Sequence, residues 1–194
     1  MTRRAAWTSI ASATIALMLA PSVVRPRADL LWNATASTPV GLYRLQAANV
    51  LHDGELVAAL PPEPVASFLA QGGFLPRGVP LLKHVAALPG QAICRAGDII
   101  TIAGIAAGIA HDFDSRHRPL PRWSGCRTLH AGEIFLMNAS VADSLDGRYF
   151  GPLPVTSIIG RATPLWLAPQ PPGAGAAADV GAAISLHPTE RTSP

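Results

Sequence analysis

The chain has 194 residues, of which 49% are hydrophobic, and a formal net charge of +3 at pH 7. This length holds one ordinary domain, and the hydrophobic content favours a membrane segment together with a buried core. The arginines are scattered and no basic run interleaves aromatic residues, which argues against a nucleic-acid-binding protein. The 17 glycines and 19 prolines disfavour long helices outside a membrane anchor.

The first predicted element is a membrane anchor. Arg3 and Arg4 precede an uncharged run over residues 5–24, and a helix of about twenty residues just spans a hydrocarbon core of about 30 Å. A cleaved signal peptide is the alternative, but the apolar run fills the whole span rather than a short central region, which favours a retained anchor. The first two arginines favour a cytoplasmic N-terminus, although Arg25 and Arg27 on the far side weaken that argument.

After the anchor, the sequence predicts a mainly β domain over residues 29–167. Within residues 30–45, apolar residues precede Pro39 and Gly41 and an alternating pattern follows them, which is typical of two strands joined by a turn. Short apolar runs bounded by Gly and Pro predict the other elements. These are a strand at 54–60, a short helix at 63–73, a strand at 81–88, one strand or a pair over 91–102, another over 102–109, a loop over 111–125, a strand at 133–137, and a last strand within 155–167 that is interrupted at Gly160.

Lys83 is the only lysine of the chain and lies in the predicted strand 81–88. An ammonium group can lose its proton in a protein and a guanidinium group cannot, so Lys83 is the one amine side chain able to act as a base. At the two-residue period of a strand, it shares a face with Leu81, Val85 and Ala87. Burial on this apolar face lowers a lysine pKa from its usual value of about 10.4. An Ala-, Gly-, Pro- and Arg-rich composition explains why lysine is rare, but not why the remaining one lies among aliphatic residues.

Ser37 stands just before the predicted turn at Pro39, where its hydroxyl can be presented to a partner. A serine becomes a nucleophile when a base lies within hydrogen-bond reach, and a neutral lysine is such a base. Ser–Lys pairs are known variants of the serine-hydrolase arrangement, so Ser37 and Lys83 are a candidate catalytic pair. The spacing alone leaves open that Ser37 is an ordinary turn residue. His84 faces away from Lys83 in a strand and is interpreted as structural.

Candidate metal ligands and cysteines give weaker signals. Four potential ligands lie in the predicted loop, namely His111, Asp112, Asp114 and His117. They lack the Cys/His spacing of zinc sites, so we expect neither a metal nor another cofactor. Cys94 and Cys126 are too few to define a disulfide framework by counting, which leaves two free thiols as an alternative to a disulfide.

Three segments of the chain carry the motifs of one family. Residues 33–43 read Asn-x-Thr-x-Ser-x-Pro-x-Gly-Leu-Tyr, residues 82–90 read Leu-Lys-His-Val-Ala-Ala-Leu-Pro-Gly, and residues 144–151 read Ser-x-Asp-Gly-Arg-Tyr-Phe-Gly. In this order they resemble the motifs of the signal peptidase I superfamily of membrane-bound Ser/Lys proteases, and more closely those of its TraF-type conjugative-transfer branch. The resemblance covers about residues 30–167 and implies a signal-peptidase-like β-sheet domain. Without it, residues 138–154 are predicted to be a polar loop.

The resemblance implies roles for four residues that take part in or support the chemistry. Ser37 would be the nucleophile and Lys83 the general base. Ser144 would hydrogen-bond the lysine amine and orient it. Thr35 would supply a side-chain donor beside the backbone N–H of Ser37, so that the two together form an oxyanion hole.

The third motif carries an implied ion pair and one departure from the family. Asp146 and Arg148 would form a pair that holds this motif in place. Gly147 stands where the family usually has serine, and we expect a small effect because no chemistry is assigned to that position. Pro39, two residues after the serine, favours the TraF-type branch, because general signal peptidases place this proline one residue later.

The resemblance also completes the predicted organisation of the chain. The segments are an N-terminal membrane anchor over residues 1–28, a periplasmic peptidase domain over 29–167 and a tail over 168–194. The tail is rich in Ala, Gly and Pro and is predicted to be disordered because it has few large apolar residues to bury. Cys94 and Cys126 resemble positions that cysteine occupies in TraF-type relatives, which implies a disulfide in an oxidising periplasm.

The function implied by the resemblance is peptide-bond cleavage through an acyl-enzyme on Ser37, at the periplasmic side of the bacterial inner membrane. The implied partners are the lipid bilayer, the conjugative transfer machinery, and a pilin or other exported precursor as substrate. The TraF-type branch also transfers the acyl group to a substrate amine and so cyclises a pilin, and the sequence leaves the acceptor open. A general signal peptidase is one alternative. An inactive scaffold of a secretion system is another, against which the presence of Ser37, Lys83 and Ser144 together argues.

Overall fold

The computed structural model of the protein describes residues 13–14 and 29–169. Apart from residues 13–14, the predicted anchor over 1–28 lies outside the described residues. The predicted tail over 168–194 also lies outside the described residues, except for residues 168 and 169. In the part of the chain that is described, no helix is long and apolar enough to cross a membrane.

Residues 29–169 form two antiparallel sheets with two short helices, which confirms the predicted mainly β fold. The strands are β1 (Leu30–Asn33), β2 (Gly41–Gln46), β3 (Leu56–Ala59), β4 (Leu81–Ala87), β5 (Ala92–Ala96), β6 (Ile99–Ile102), β7 (Ile105–Ile109), β8 (Gly125–Thr128), β9 (Glu133–Met137), β10 (Leu153–Pro154) and β11 (Ile158–Leu167). The larger sheet has the strand order β1-β2-β11-β3-β4-β9-β10, and the smaller sheet has the order β7-β6-β5-β8. The helices are α1 (Val65–Gln71) and α2 (Gly147–Phe150), and a 3-10 turn (Val155–Ser157) precedes β11.

The core of the described residues has two parts within the larger sheet and one part that joins the two sheets. Val57, Val85 and Leu136 on adjacent strands β3, β4 and β9 pack together with less than 3% exposure. Phe135 on β9 packs in a second cluster with Ile93, a fully buried residue of the smaller sheet. Burial of each such side chain stabilises the fold by about 1.5–3 kcal/mol. The apolar residues of β9 therefore fasten the smaller sheet to the centre of the larger one.

Strand β4 holds a central position, with β3 on one edge and β9 on the other. Lys83 and Val85 alternate along β4 and are both buried, as the period-two pattern predicts. Ala87 is also buried, but a register shift against β9 after Val85 places it in the cluster that joins the two sheets rather than in that of Val85, which corrects the predicted common face. His84, on the opposite side of the strand, is exposed. Leu82 is also buried, because this end of β4 is covered on both faces.

Three further sequence predictions need correction. Residue 125, predicted as the end of a loop, begins strand β8, which the sequence does not predict. All four residues of this strand are exposed, and it forms because it pairs with β5. Strand β11 continues through Gly160 instead of being interrupted there, with a register shift opposite β3. A Cβ at Gly160 would lie 2.8 Å from the carbonyl oxygen of Gln46, so the glycine permits close packing of strands rather than ending one. Residues 138–154 contain α2 and β10 and are not merely a polar loop.

Candidate active site

Ser37 lies in the turn that joins β1 to β2, and the buried side chain of Asn33 organises this turn. The Asn33 amide Nδ2 donates to the carbonyl oxygens of Thr35 and Thr38, both at 2.9 Å, and of Pro39 at 3.1 Å. Its Oδ1 accepts from the backbone N–H of Thr35 at 3.1 Å. One asparagine thus satisfies backbone groups along the turn that a strand ladder cannot reach, and Ser37 is held half-buried at its centre.

Lys83 projects from β4 between two serine hydroxyls. Its Nζ donates to Ser37 Oγ at 3.1 Å and to Ser144 Oγ at 2.8 Å. These residues are 46 and 61 positions away along the chain, so the fold alone brings the three side chains together. Lys83 is 3% exposed, and few water molecules can therefore compete for its amine.

Burial lowers the pKa of Lys83 from its ordinary 10.5 to about 8. Desolvation is the main cause, because the apolar surroundings disfavour the charged form. The carboxylate of Asp146 acts in the opposite direction and raises the pKa, and the guanidinium of Arg148 lowers it. A lysine with this pKa is neutral in an appreciable fraction of molecules near neutral pH. A neutral amine at hydrogen-bond distance from a serine hydroxyl can take its proton.

A fully buried ion pair holds the segment that carries Ser144. Arg148 Nε donates to Asp146 Oδ1 at 2.9 Å and Arg148 Nη2 donates to Asp146 Oδ2 at 3.0 Å, a bidentate arrangement. Arg148 Nη2 also donates to the carbonyl oxygens of Val141 at 2.7 Å and Ser144 at 3.0 Å. Asp146 caps helix α2 by accepting from the backbone N–H of Arg148 at 3.1 Å. The pair therefore sets the path of residues 138–148.

The Thr35 side chain lies close to Ser37 but has a different principal partner. Its hydroxyl donates to Asn33 Oδ1 at 2.8 Å, and its oxygen lies 3.5 Å from Ser37 Oγ. A hydroxyl has a single proton to donate. Donation to an oxyanion, the role that the resemblance implies, requires Thr35 to exchange its bond to Asn33 for one to the reacting group.

Three buried polar residues that sequence reasoning gave no role also support the site. Asn33 organises the serine turn, and Asn138 contacts the backbone of both the turn and β4. Arg95, from the smaller sheet, donates through Nη1 to the carbonyl oxygen of Arg148 at 2.9 Å. Asn33 and Asn138 each stand at the end of an apolar strand, which is a weak signal for a capping residue. Nothing in the sequence marks Arg95.

The two aspartates among the four candidate metal ligands are paired with arginines. Asp112 pairs with Arg122, and Asp114 pairs with Arg118. Across residues 29–169, no group of three His, Cys, Asp or Glu side chains is arranged to hold a metal ion.

The two cysteines lie in the smaller sheet, away from the Lys83 contacts. Cys94 on β5 stands directly opposite Cys126 on β8, and the structure joins them in a disulfide. The bond fastens the edge strand β8, which has no buried side chain of its own.

An apolar groove with a volume of about 440 Å³ opens beside the serine and the lysine. Ser37 and Lys83 are part of its lining. Aliphatic and aromatic side chains form most of the remainder, including Leu69 of α1, Phe74 after that helix, and Leu145 next to Ser144. The groove can accommodate an extended, uncharged peptide segment that reaches the serine hydroxyl.

Comparisons with known proteins match this chain to signal peptidases and to TraF proteins. Residues 2–167 match the family described as "Signal peptidase, peptidase S26". The conjugal transfer protein TraF of Agrobacterium fabrum is 34% identical over 146 residues, which cover 69% of this chain and 80% of that protein. A plasmid transfer protein TraF of Escherichia coli is 36% identical over 143 residues, covering 66% of this chain and 77% of that protein. A solved signal peptidase I of Enterococcus faecalis V583 aligns with 59% of this chain and 98% of its own at 18% identity and a TM-score of 0.37, which is too distant to support an inference.

Proposed function

Because the chain belongs to the peptidase S26 family of signal peptidases, within its TraF-type branch, we propose that it is a serine endopeptidase of conjugative transfer. Ser37 is the nucleophile and Lys83 the general base. The substrate is a pilin or another exported precursor of the transfer machinery. The observation that carries this proposal is the placement of the buried Lys83 amine between Ser37 Oγ and Ser144 Oγ.

The first half of the reaction forms an ester on Ser37. Neutral Lys83 takes the hydroxyl proton while Ser37 Oγ attacks the carbonyl carbon of the scissile peptide bond, and the carbonyl oxygen becomes an oxyanion. The backbone N–H of Ser37 stabilises this oxyanion, and the hydroxyl of Thr35 does so as well when it exchanges its bond to Asn33 for one to the oxyanion. The C–N bond then breaks as the Lys83 ammonium returns the proton to the leaving amine. Ser144 Oγ keeps the lysine amine aimed at the serine throughout.

The second half transfers the acyl group from Ser37 to an acceptor. Water gives a proton to Lys83 and attacks the ester carbon. The bond between that carbon and Ser37 Oγ then breaks as the Lys83 ammonium returns the proton to Oγ, which frees the new carboxyl end and regenerates the Ser37 hydroxyl. A substrate amine in the place of water forms a new peptide bond and yields a cyclic product. Both routes use the same base, so the dyad alone does not choose between hydrolysis and cyclisation.

The proposed location is the periplasmic face of the inner membrane, with the N-terminal segment as anchor. Exposed apolar residues on β1, the edge strand of the larger sheet, and on β11, two places further in, support this location. Trp32 on β1 and Trp166 on β11 are 57% and 51% exposed, and their rings stack with centroids 5.8 Å apart. Leu30 and Leu165 extend the same strands with exposed side chains. Tryptophan favours the membrane–water interface, and β1 follows directly after the predicted anchor.

Mass spectrometry of a pilin precursor tests the proposal. The precursor from the same transfer system is co-expressed with the wild-type protein or with Ser37→Ala, and its termini are determined. We expect processing by the wild type and an intact precursor with Ser37→Ala, because the variant keeps its fold and lacks only the nucleophile. Equal processing by both proteins would overturn the assignment of Ser37.

The same experiment separates the alternatives when a general secretory precursor is included. Cleavage of the secretory precursor but not of the pilin would identify a general signal peptidase. Failure to cleave either one, by a protein whose folding is verified by circular dichroism, would favour an inactive scaffold. The product masses also distinguish hydrolysis from cyclisation, since a cyclic product weighs 18 Da less than the linear chain of the same residues.

A further inference from the structure

Asn138 follows β9 at the point where the ladder between β9 and β4 ends. The pair of residues at this end of the ladder is His84 and Met137. Beyond it, the Asn138 side chain takes the place of a further strand residue. Its Oδ1 accepts from the backbone N–H of His84 at 3.1 Å, and its Nδ2 donates to the carbonyl oxygen of Leu82 at 3.2 Å. One amide therefore binds the backbone on both sides of Lys83.

The same amide also reaches the turn that carries the nucleophile. Asn138 Nδ2 donates to the carbonyl oxygen of Ser37 at 2.6 Å and to Thr38 Oγ1 at 3.2 Å. Thr38 Oγ1 in turn donates to the carbonyl oxygen of Leu82 at 3.1 Å. Ser37 lies 101 residues before Asn138 in the chain. A single side chain thus connects the backbone beside Ser37 to the backbone beside Lys83.

The partners of Asn138 fix the orientation of its amide. A backbone N–H can only donate and a carbonyl oxygen can only accept, so a flipped amide would place donors against donors on β4 and an acceptor against Ser37. The residue is 2% exposed, and its own backbone N–H donates to Asp146 Oδ2 at 3.0 Å. His84 Nδ1 lies 3.0 Å from Asn138 Oδ1 and donates to it in the tautomer that carries the ring proton on Nδ1. These bonds hold the Asn138 side chain rigidly, so it can in turn restrain the Ser37 turn against strand β4.

We propose that Asn138 is a positioning residue that clamps the Ser37 turn to strand β4 and so sets the separation of Ser37 Oγ and Lys83 Nζ. The proposal rests on the function proposed above and adds a residue that touches neither the substrate nor the reacting atoms. Misplacement of a reacting group by about 1 Å lowers a rate by about 100-fold. Without the clamp, the turn also moves away from the lysine and admits water to it.

Kinetics and lysine titration of Asn138→Ala test the clamp. With a peptide that spans the pilin junction, we expect kcat to fall about 100-fold while KM changes less than about threefold. In protein labelled with 13C at lysine Cε, the titration midpoint of Lys83 should rise from about 8 towards its ordinary 10.5, because water reaches the amine. Ile100→Ala, in the core of the smaller sheet, is the control. It lowers the melting temperature but should leave both readouts unchanged.

Thr38→Val is a milder substitution that keeps the test possible if Asn138→Ala fails to fold. It removes the Thr38 hydroxyl and leaves the other contacts of Asn138, so we expect a smaller change in the same direction in both readouts. Wild-type kcat and titration in these variants, or an equal loss in Ile100→Ala, would overturn the clamp. If the wild type itself cleaves no peptide, the proposed function fails. The clamp is then tested by the Lys83 titration alone, which should still shift in the Asn138 and Thr38 variants.

Discussion

The two sheets bury different kinds of side chain. In the larger sheet, the end of β4 adjoins a cluster of polar residues, among them Lys83, Ser144 and Arg148, that are each at most 3% exposed. Apart from Arg95, which donates to the Arg148 carbonyl oxygen, the smaller sheet buries aliphatic residues such as Ile93 and Ile100 and is fastened by a disulfide. The larger sheet thus contributes the groups able to do chemistry, and the smaller sheet contributes buried apolar surface and a disulfide bond.

This difference indicates what each region contributes to stability. Aliphatic burial stabilises by about 25 cal/mol for each Å² removed from water. A buried polar cluster gains little net free energy, because the cost of desolvating its charges offsets their attraction, yet removal of one partner is strongly destabilising. The polar cluster of the larger sheet is therefore best understood as fixing the geometry of Ser37 and Lys83. Changes in the two sheets should accordingly affect activity and stability in different proportions.

The largest expected effect is on activity, from Lys83→Arg. Arginine keeps its proton at any working pH and cannot accept one from Ser37, so we expect the same loss as in Lys83→Ala, about 100-fold or more in kcat. Arg127→Lys, on the exposed strand β8, is a matched control that should keep wild-type activity. The measurement is cleavage of a peptide that spans the pilin junction by purified protein in detergent. Substantial activity of Lys83→Arg would mean that the base lies elsewhere, with His84 as the first candidate.

The next largest effect is on stability, from Arg148→Met. This change leaves Asp146 as an unpaired buried carboxylate and should cost about 3–5 kcal/mol of unfolding free energy in denaturant titrations. The exposed pair of Arg122 and Asp112 offers the control Arg122→Met, which should cost at most about 1 kcal/mol. Similar losses in the two variants would show that the Arg148 pair is not the buried anchor described above.

A smaller effect, confined to stability, is expected when both Cys94 and Cys126 are replaced by serine. The disulfide closes a loop with a sequence separation of 32, for which the chain-entropy relation gives about 3 to 4 kcal/mol. Because the bond lies in the smaller sheet, kcat at temperatures well below melting should stay within about twofold of the wild-type value. Thiol counting on unreduced wild-type protein should find no free thiol. Two titratable thiols, or a loss of kcat as large as that of Lys83→Arg, would contradict this division between the sheets.

The sequence predicts the elements whose apolar pattern is strong and misses those held together by distant partners. Strands β4 and β9 follow from their apolar runs, whereas β8 consists of four exposed residues and exists only because β5 lies beside it. The contact between Lys83 and Ser144 was implied by a family resemblance, not by periodicity. The bonds of Asn138 could not be predicted, because its partners are backbone groups of segments that meet only in the folded protein.

The most direct test of whether Lys83 is the general base is a measurement of its pKa. Since this is the only lysine of the chain, protein labelled with 13C at lysine Cε gives one side-chain lysine resonance, whose shift can be followed by NMR from pH 6 to pH 11. Burial predicts a midpoint near 8, and cleavage should rise with pH through the same midpoint because only the neutral amine accepts the serine proton. A midpoint at the ordinary value of about 10.4 would contradict the account, because Lys83 would then be a solvated cation and not the base of the site.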